Sequence, residues 1–146
     1  MAVTLLDVNV LIALIWPEHQ FHRQAFSWFD RNARHGWATC LITQMGFVRM
    51  LSTSPIREAP TVSEALKLLE LNLEHPDHEF WADEIGILPA INLTGAILQG
   101  HRQITDAYLL GLAVRHKGKL ATFDRSIATL LPEGKRKSDW ILELST

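Results

Sequence analysis

The chain has 146 residues, of which 47% are hydrophobic and 21% charged, and its formal net charge at pH 7 is −2. This length and composition predict one domain, residues 1–146, with a sizeable core, and exclude a disordered chain. The balance of 14 basic and 16 acidic side chains excludes nucleic-acid binding through bulk positive charge, but it is compatible with a local basic rim. The single cysteine, Cys40, excludes an intrachain disulfide, and no run approaches the ~20 apolar residues of a membrane span. We therefore expect a cytoplasmic protein with no membrane partner.

Apolar periodicity predicts strands and helices in alternation along the whole chain. The expected strands cover residues 3–6, 37–42, 78–81, 119–123 and 139–142. The expected helices cover residues 8–15, 18–32, 43–51, 61–73, a short stretch within 82–98, 106–116 and a short segment that ends at 131. Two prolines and small polar residues predict a loop over 52–60, Thr43 and Thr105 occupy expected N-cap positions, and Gly118 is expected to end its helix. Strands that alternate with helices imply a mostly parallel sheet between helical layers.

Two of the predicted strands run directly into an aspartate. Asp7 follows the first strand, Asp124 follows residues 119–123, and Asp106 begins the helix that leads into that second strand. Because the carboxyl ends of parallel strands share one edge, Asp7 and Asp124 converge if their strands are neighbours, and Asp106 then faces the same cleft. Grouped carboxylates raise one another's pKa unless a cation neutralises them, and oxygen-only ligands favour Mg²⁺ or Mn²⁺. Such a site activates water for attack on a phosphodiester, whereas each aspartate taken alone would be interpreted as a helix cap.

Three motifs carry a resemblance to a known family: LLDVNVLI at residues 5–12, TDAYLL at 105–110 and LATFD at 120–124. They resemble the motifs of PIN-domain ribonucleases. The stretches ITQMGFVRMLS and HRQITDAYLLGLAVRHKGKLATFDR resemble, more specifically, the VapC-type toxins of bacterial toxin–antitoxin pairs. The resemblance covers nearly the whole chain. It implies a three-layer α/β/α fold with a small, mostly parallel sheet, a Mg²⁺-dependent endoribonuclease acting on RNA, a protein antitoxin partner and usually a homodimer.

The resemblance also implies roles for individual residues. The acids that match the metal-binding and catalytic positions of the family are Asp7, Asp106 and Asp124. The polar residues that would orient these acids or a metal-bound water are Asn9, Thr105 and Thr122.

The chain departs from the family at the second motif. PIN domains usually place an acid, often Glu, at the start of the helix after the second strand, and the best candidate position here holds Gln44. A neutral carbonyl is a weaker ligand than a carboxylate for a hard dication, so the substitution puts a second metal ion in doubt. Three acids further along the chain are alternatives for the missing carboxylate, although their spacing does not require that role. They are Glu79, Asp83 and Glu84.

The residues leave two other functions open. A haloacid dehalogenase-type phosphatase needs a second Asp two residues after the first, and Asn9 in that position argues against it. The other alternative is a PIN-like module that binds RNA or a protein partner without cleaving RNA.

Several further residue types have ordinary structural interpretations. The histidines His75 and His78 have the spacing of zinc ligands, but without a cysteine or further histidine beside them we expect a solvated loop. The five tryptophans are expected in the core or in an interface rather than as base-stacking platforms. The basic residues that flank the acidic motifs would form either a phosphate-binding rim or a solvated surface, and they are Arg102, Arg115, Lys117, Lys119 and Arg125.

Overall fold

A five-stranded, fully parallel sheet forms the centre of the computed structural model, which describes residues 2–55 and 58–145. The order of the strands across the sheet is β3-β2-β1-β4-β5. The strands are β1 (Thr4–Leu6), β2 (Trp37–Cys40), β3 (His78–Trp81), β4 (Lys119–Thr122) and β5 (Ile141–Glu143). Such a sheet needs helical cover on both faces, because parallel strands are joined by crossovers that lie on those faces.

Seven α-helices supply this cover within the described residues. They are α1 (Val8–Ile15), α2 (His22–Asn32), α3 (Leu41–Ser52), α4 (Val62–Leu73), α5 (Ile87–Thr94), α6 (Ile104–Arg115) and α7 (Lys137–Trp140). Short 3-10 helices cover Ala33–His35, His101–Gln103 and Arg125–Leu130. None of the helices in the described part of the chain is long and apolar enough to cross a membrane.

Two apolar clusters hold the layers together, one on each face of the sheet. On one face, Leu6 and Trp37 pack with apolar residues of α1, α2, α3 and α4. On the other face, Leu5 and Leu120 pack with α5, α6 and the 3-10 helix at Arg125–Leu130. Leu5 and Leu6 are both fully buried, as expected for adjacent residues of a strand that is covered on both sides. The three-layer α/β/α fold with a parallel sheet is therefore confirmed.

The strand order decides where the aspartates lie. β1 sits at the middle of the sheet and pairs with both β2 and β4, with Leu6 in register with Ala121. Asp7 follows β1 and Asp124 follows β4. The backbone N–H of Asp7 donates to the carbonyl of Ala121 at 2.9 Å. The carboxyl ends of β1 and β4 are therefore side by side at one edge of the sheet.

The predicted helices differ from the observed helices mainly at their ends. The helix expected from Glu18 begins only at His22, because His19 closes a turn by accepting from the N–H of Phe21 at 3.0 Å. Thr43 is not an N-cap. The helix α3 begins at Leu41, and the Thr43 hydroxyl bonds back to the N–H and the carbonyl of Cys40.

The ends of α6 also differ from the prediction. Its first residue is Ile104, so Thr105 lies inside the first turn rather than at the cap. At its far end the residue with positive φ is Lys117, at 57°, and not Gly118. Glycine is needed at 118 because a Cβ there would lie 2.3 Å from the carbonyl oxygen of Val3 on the neighbouring strand.

The loop expected over 52–60 and the surroundings expected for His75 and His78 also differ in part from the structure. The expected loop over 52–60 begins one residue late, since Ser52 still belongs to α3, and residues 56 and 57 lie outside the described part of the chain. The expectation of a solvated loop for His75 and His78 holds only in part, because His75 lies in the loop before β3 and His78 begins β3, and both side chains are half-buried. His75 accepts from the indole N–H of Trp37 at 3.3 Å, and His78 pairs with the hydroxyl of the fully buried Thr39 at 2.8 Å.

Candidate active site

Asp7 occupies the N-cap of α1 and is only 7% exposed. One of its carboxylate oxygens accepts the backbone N–H of Val8 at 2.8 Å, and the other accepts the hydroxyl of Thr122 at 2.7 Å. Burial raises the pKa of this carboxyl, the two hydrogen bonds partly lower it, and the nearby charge of Asp124 raises it again. Asp7 is therefore a capping residue that also carries a poorly solvated charge.

The hydroxyl of Thr122 links the ends of β1, α1 and β4. It donates to Asp7 and accepts the backbone N–H of Asp124 at 3.0 Å and the side-chain amide of Asn9 at 3.4 Å. A hydroxyl has one donor and two acceptor sites, so all of its hydrogen-bonding capacity is used here. The Asn9 carbonyl also accepts the N–H of Phe123 at 3.3 Å, which fastens α1 to the end of β4.

Asp124 is held by the turn that follows it. One of its carboxylate oxygens accepts both the backbone N–H of Ser126, at 2.8 Å, and the Ser126 hydroxyl, at 2.6 Å. Asp124 thereby caps the 3-10 helix at Arg125–Leu130. The motifs did not indicate Ser126, although an aspartate followed two residues later by a serine is a common capping pattern that could have done so.

Asp106 lies in the first turn of α6 and is partly buried. Desolvation, with smaller contributions from the charges of Asp7 and Asp124, raises its pKa from 3.8 to about 6. These electrostatic contributions show that the three carboxylates share one electrostatic environment. The structure therefore brings together Asp7, Asp106 and Asp124, together with Asn9 and Thr122.

Thr105 is separated from this group. It is exposed on the first turn of α6, and none of the hydrogen bonds found among residues 2–55 and 58–145 connects its hydroxyl to the acids. A helical neighbour of Asp106 points away from the face that Asp106 uses, because successive helical positions are rotated by about 100°.

Gln44 also makes a different contact from the acids. It lies in the first half of α3, and its amide donates to the Thr39 hydroxyl at 3.0 Å, which in turn pairs with His78. The Gln44 side chain lines an apolar groove between α3 and α4. Gln44, the candidate for the family's second acidic position, is therefore hydrogen-bonded to β2.

The neighbouring cations are paired elsewhere. Arg125, which directly follows Asp124, has its Nε 3.2 Å from Glu143, and Arg115 lies 3.8 Å from Glu84. Lys117 and Lys119 lie just before or at the start of β4, at the opposite edge of the sheet. Arg102 is exposed and lies in the 3-10 helix that precedes α6.

A hard divalent cation fits this donor set. The three acids offer only oxygen ligands, which hard dications prefer, and the pKa of Asp106 is raised by desolvation and by the charges of its acidic neighbours. Within the described residues, no three His, Cys, Asp or Glu side chains already have the spacing of a metal-ligand cluster.

Comparison of the sequence with known protein families covers the residues of this site. A profile of the PIN domain matches residues 4–130, a range that contains all three acids. The chain belongs to the PIN-domain family. Its relatives are of the VapC type, as the motifs indicated.

Two of these relatives come from Mycobacterium tuberculosis. The chain is 42% identical to Ribonuclease VapC44 over 133 residues, which cover 91% of this chain and 94% of the relative. It is 38% identical to Ribonuclease VapC39 over 125 residues, with coverages of 85% and 90%.

The fold is also similar to solved toxin–antitoxin structures. VapBC2 from Rickettsia felis, solved with a DNA fragment from its promoter, matches with a TM-score of 0.63 at 11% identity and covers 98% of this chain and 99% of that chain. FitAB bound to the IR36 DNA fragment matches with a TM-score of 0.62 at 17% identity, with coverages of 96% and 94%. At these identities the similarity concerns the PIN fold alone.

Proposed function

We propose that this PIN-domain protein is a metal-dependent endoribonuclease, with Asp7, Asp106 and Asp124 as its catalytic and metal-binding acids. The observation that carries the proposal is that Asp7 and Asp124 follow two neighbouring strands at one edge of the sheet, with Asp106 close enough for their charges, together with desolvation, to raise its pKa. A carboxylate kept in so unfavourable an environment is typical of a functional site. The names of the relatives, which are ribonucleases, support RNA as the substrate.

The residues around the acids have positioning functions in this proposal. Thr122 fixes one oxygen of Asp7, and Asn9 supports Thr122 while it holds the end of β4 against α1. Ser126 fixes one oxygen of Asp124 and leaves the other without a hydrogen bond from that turn. A Mg²⁺ or Mn²⁺ ion, when bound, supplies charge neutralisation and a nucleophilic water at neutral pH.

The alternative, a PIN-like module that binds RNA or protein without cleaving RNA, depends on Gln44. Loss of an acid at the second motif would weaken metal binding only if that side chain reached the other acids. Its amide instead donates to Thr39. The geometry of the remaining acids favours the enzyme.

Cleavage of a mixed-sequence RNA in Mg²⁺ or Mn²⁺, with EDTA as the metal-free condition, tests the proposal. We expect cleavage by the parent with metal, no cleavage in EDTA, and none by Asp106→Asn. The matched control is Asp30→Asn, since Asp30 is an exposed aspartate on α2, and it should cleave as the parent does. Undiminished cleavage in EDTA or by Asp106→Asn would refute the assigned site, and absence of cleavage by the parent would favour the binding module.

We also propose that the protein is the toxin of a toxin–antitoxin pair and acts on RNA in the cytoplasm. The fold matches proteins solved in VapBC and FitAB complexes, which supports an antitoxin as its protein partner. A segment of this partner would cover the acidic cleft and place an arginine on the carboxylates, a favourable charge-assisted contact. Growth arrest on expression, relieved by co-expression of the neighbouring gene, is the expected result, and unchanged growth in both cases would refute the role as a toxin.

A symmetric homodimer is the third part of the proposal. Large apolar side chains remain exposed on α5, where Leu88 is 72% and Leu93 is 44% accessible. Exposed apolar patches of this kind are typical of protein interfaces. Light scattering at micromolar concentration should give the mass of a dimer, and a strict monomer would contradict it.

A further inference from the structure

A cavity of about 400 Å³ lies between α2 and the end of β5 with the two residues that follow it. One wall consists of Arg23, Gln24, Ser27, Trp28 and Arg31, which lie on one face of α2, and the other wall consists of residues 142–145. We call it the α2–β5 groove. It is separate from the acids, and the arginines and the aromatic ring in one wall distinguish it from the apolar groove between α3 and α4.

The α2–β5 groove is locally basic although the chain as a whole has a net charge of −2. Arg23 and Arg31 are both exposed, and Arg31 uses its Nε to donate to the carbonyl of Ser27 at 3.2 Å. The terminal amino groups of Arg31, which form the fork that grips phosphate, are not used in that bond.

The negative charge of the acidic side chain that lines the groove is neutralised by ion pairs. Glu143 belongs to the second wall, and its carboxylate pairs with Arg125, at 3.2 Å, and with Lys137. Asp30 also lies on α2, but it does not line the groove. The arginines of α2 therefore face a wall whose negative charge is already compensated.

The groove adjoins the site of the acids. Glu143 is in register with Thr122 across the pairing of β4 with β5, and the N–H of Leu144 donates to the carbonyl of Thr122 at 2.8 Å. The hydroxyl of the same Thr122 holds Asp7. Neighbouring strands are about 4.8 Å apart, so a chain that leaves the acids across the end of β5 reaches the groove directly.

We propose that the α2–β5 groove binds a single-stranded segment of the RNA that flanks the scissile phosphate, with Arg23 and Arg31 on its backbone. The proposal rests on the proposed ribonuclease function. Basic side chains that alternate with an exposed aromatic surface are the usual means of binding single strands without sequence readout, and Trp28 lines the groove between the two arginines. Trp28 also packs against the core, so its substitution would not test RNA binding cleanly.

The first experiment measures binding without cleavage. A fluorescein-labelled RNA of about 12 nucleotides is titrated in EDTA with the parent, with the double variant Arg23→Gln/Arg31→Gln and with Arg34→Gln, and anisotropy is read at several salt concentrations. Arg34 is the matched control, because it is an exposed arginine in the 3-10 helix that follows α2 and does not line the groove.

We expect the double variant to bind about three- to tenfold more weakly and the slope of log affinity against log salt to fall by about 1.4, which is about 0.7 for each phosphate that the protein no longer neutralises. Arg34→Gln should match the parent. Equal affinities and slopes for the parent and the double variant would overturn the proposal. Loss of antitoxin binding with RNA affinity unchanged would assign the groove to protein instead and would overturn it as well.

The second experiment distinguishes RNA binding in the groove from RNA cleavage at the acids. In Mg²⁺, the double variant should show a raised KM and an unchanged kcat on the long RNA, and no change on a dinucleotide too short to reach the groove. If the parent cleaves RNA and the double variant has the same KM on both substrates, the groove proposal fails and the ribonuclease stands. If the parent does not cleave but the anisotropy difference persists, the ribonuclease fails and the groove stands.

Discussion

Replacing Asp106 with asparagine should stabilise the metal-free protein. The pKa of Asp106 is raised from 3.8 to about 6, first by burial and then by the charges of Asp7 and Asp124. The folded state therefore keeps a proton on Asp106 in a pH range in which the unfolded chain has already released it. Stability is lost as the pH rises from about 4 to about 6, and the loss is complete above that range.

The size of the effect follows from the pKa. A change from 3.8 to about 6 corresponds to about 3 kcal/mol against the ionised form, at about 1.36 kcal/mol for each pH unit. Asp106 is only partly buried, so solvent screening reduces this to about 1–2 kcal/mol. For a chain of this length that corresponds to an increase in Tm of about 3–6 °C.

Thermal unfolding in EDTA at about pH 7.5 and at about pH 4 measures this prediction. Asp106→Asn should unfold at a higher temperature than the parent at the higher pH, and the difference should vanish at the lower pH. Asp30→Asn, the exposed control, should show neither effect. Millimolar Mg²⁺ should then raise the Tm of the parent more than that of Asp106→Asn, because only the parent retains all three acids. A gain of equal size at both pH values, or none at the higher pH, would refute the electrostatic explanation.

Four more substitutions test the site and the packing around it. Asp7→Asn and Asp124→Asn should each abolish Mg²⁺-dependent RNA cleavage in a gel assay, because a hard cation loses a charged oxygen ligand, and a variant that cuts at the parental rate would exclude that residue from the site. Gln44→Glu should leave the Mg²⁺ affinity measured by titration calorimetry unchanged, because its side chain bonds to β2, and tighter binding would place it among the acids. Gly111→Ala should lower the free energy of unfolding by about 2 kcal/mol or more, since its Cβ would lie 2.4 Å from a carbonyl oxygen of α5. Gly100→Ala, where a Cβ meets nothing within 4 Å, is its control in the same denaturant titration.

Much of the fold follows from local patterns in the sequence. The bounds of α1 and β3 are those that periodicity predicts, because apolar runs and breaking residues are local signals. The predicted start of α3 is two residues late because Thr43 is a good cap by type. Its hydroxyl reaches back to Cys40 from inside the helix, and only the backbone geometry decides between these two possibilities.

Contacts between distant residues could not be predicted in the same way. The hydrogen bonds of His75 and His78 could not be foreseen, because their partners, Trp37 and Thr39, lie on β2, far away in the sequence. The same limit applies to the acids. Their convergence depended on β1 and β4 being neighbours, a property of strand order that no local pattern contains.

The acids differ from ordinary surface carboxylates in what surrounds them. The cation next to Asp124 in the chain is Arg125, yet it pairs with Glu143 and leaves the acids uncompensated. Asp7 is 7% exposed and also has a raised pKa. A fold that needed only a helix cap at Asp7 could use serine or threonine there without this cost. Ionisable groups that destabilise the metal-free protein are what the proposed metal site predicts, and the stability of Asp106→Asn measures that cost directly.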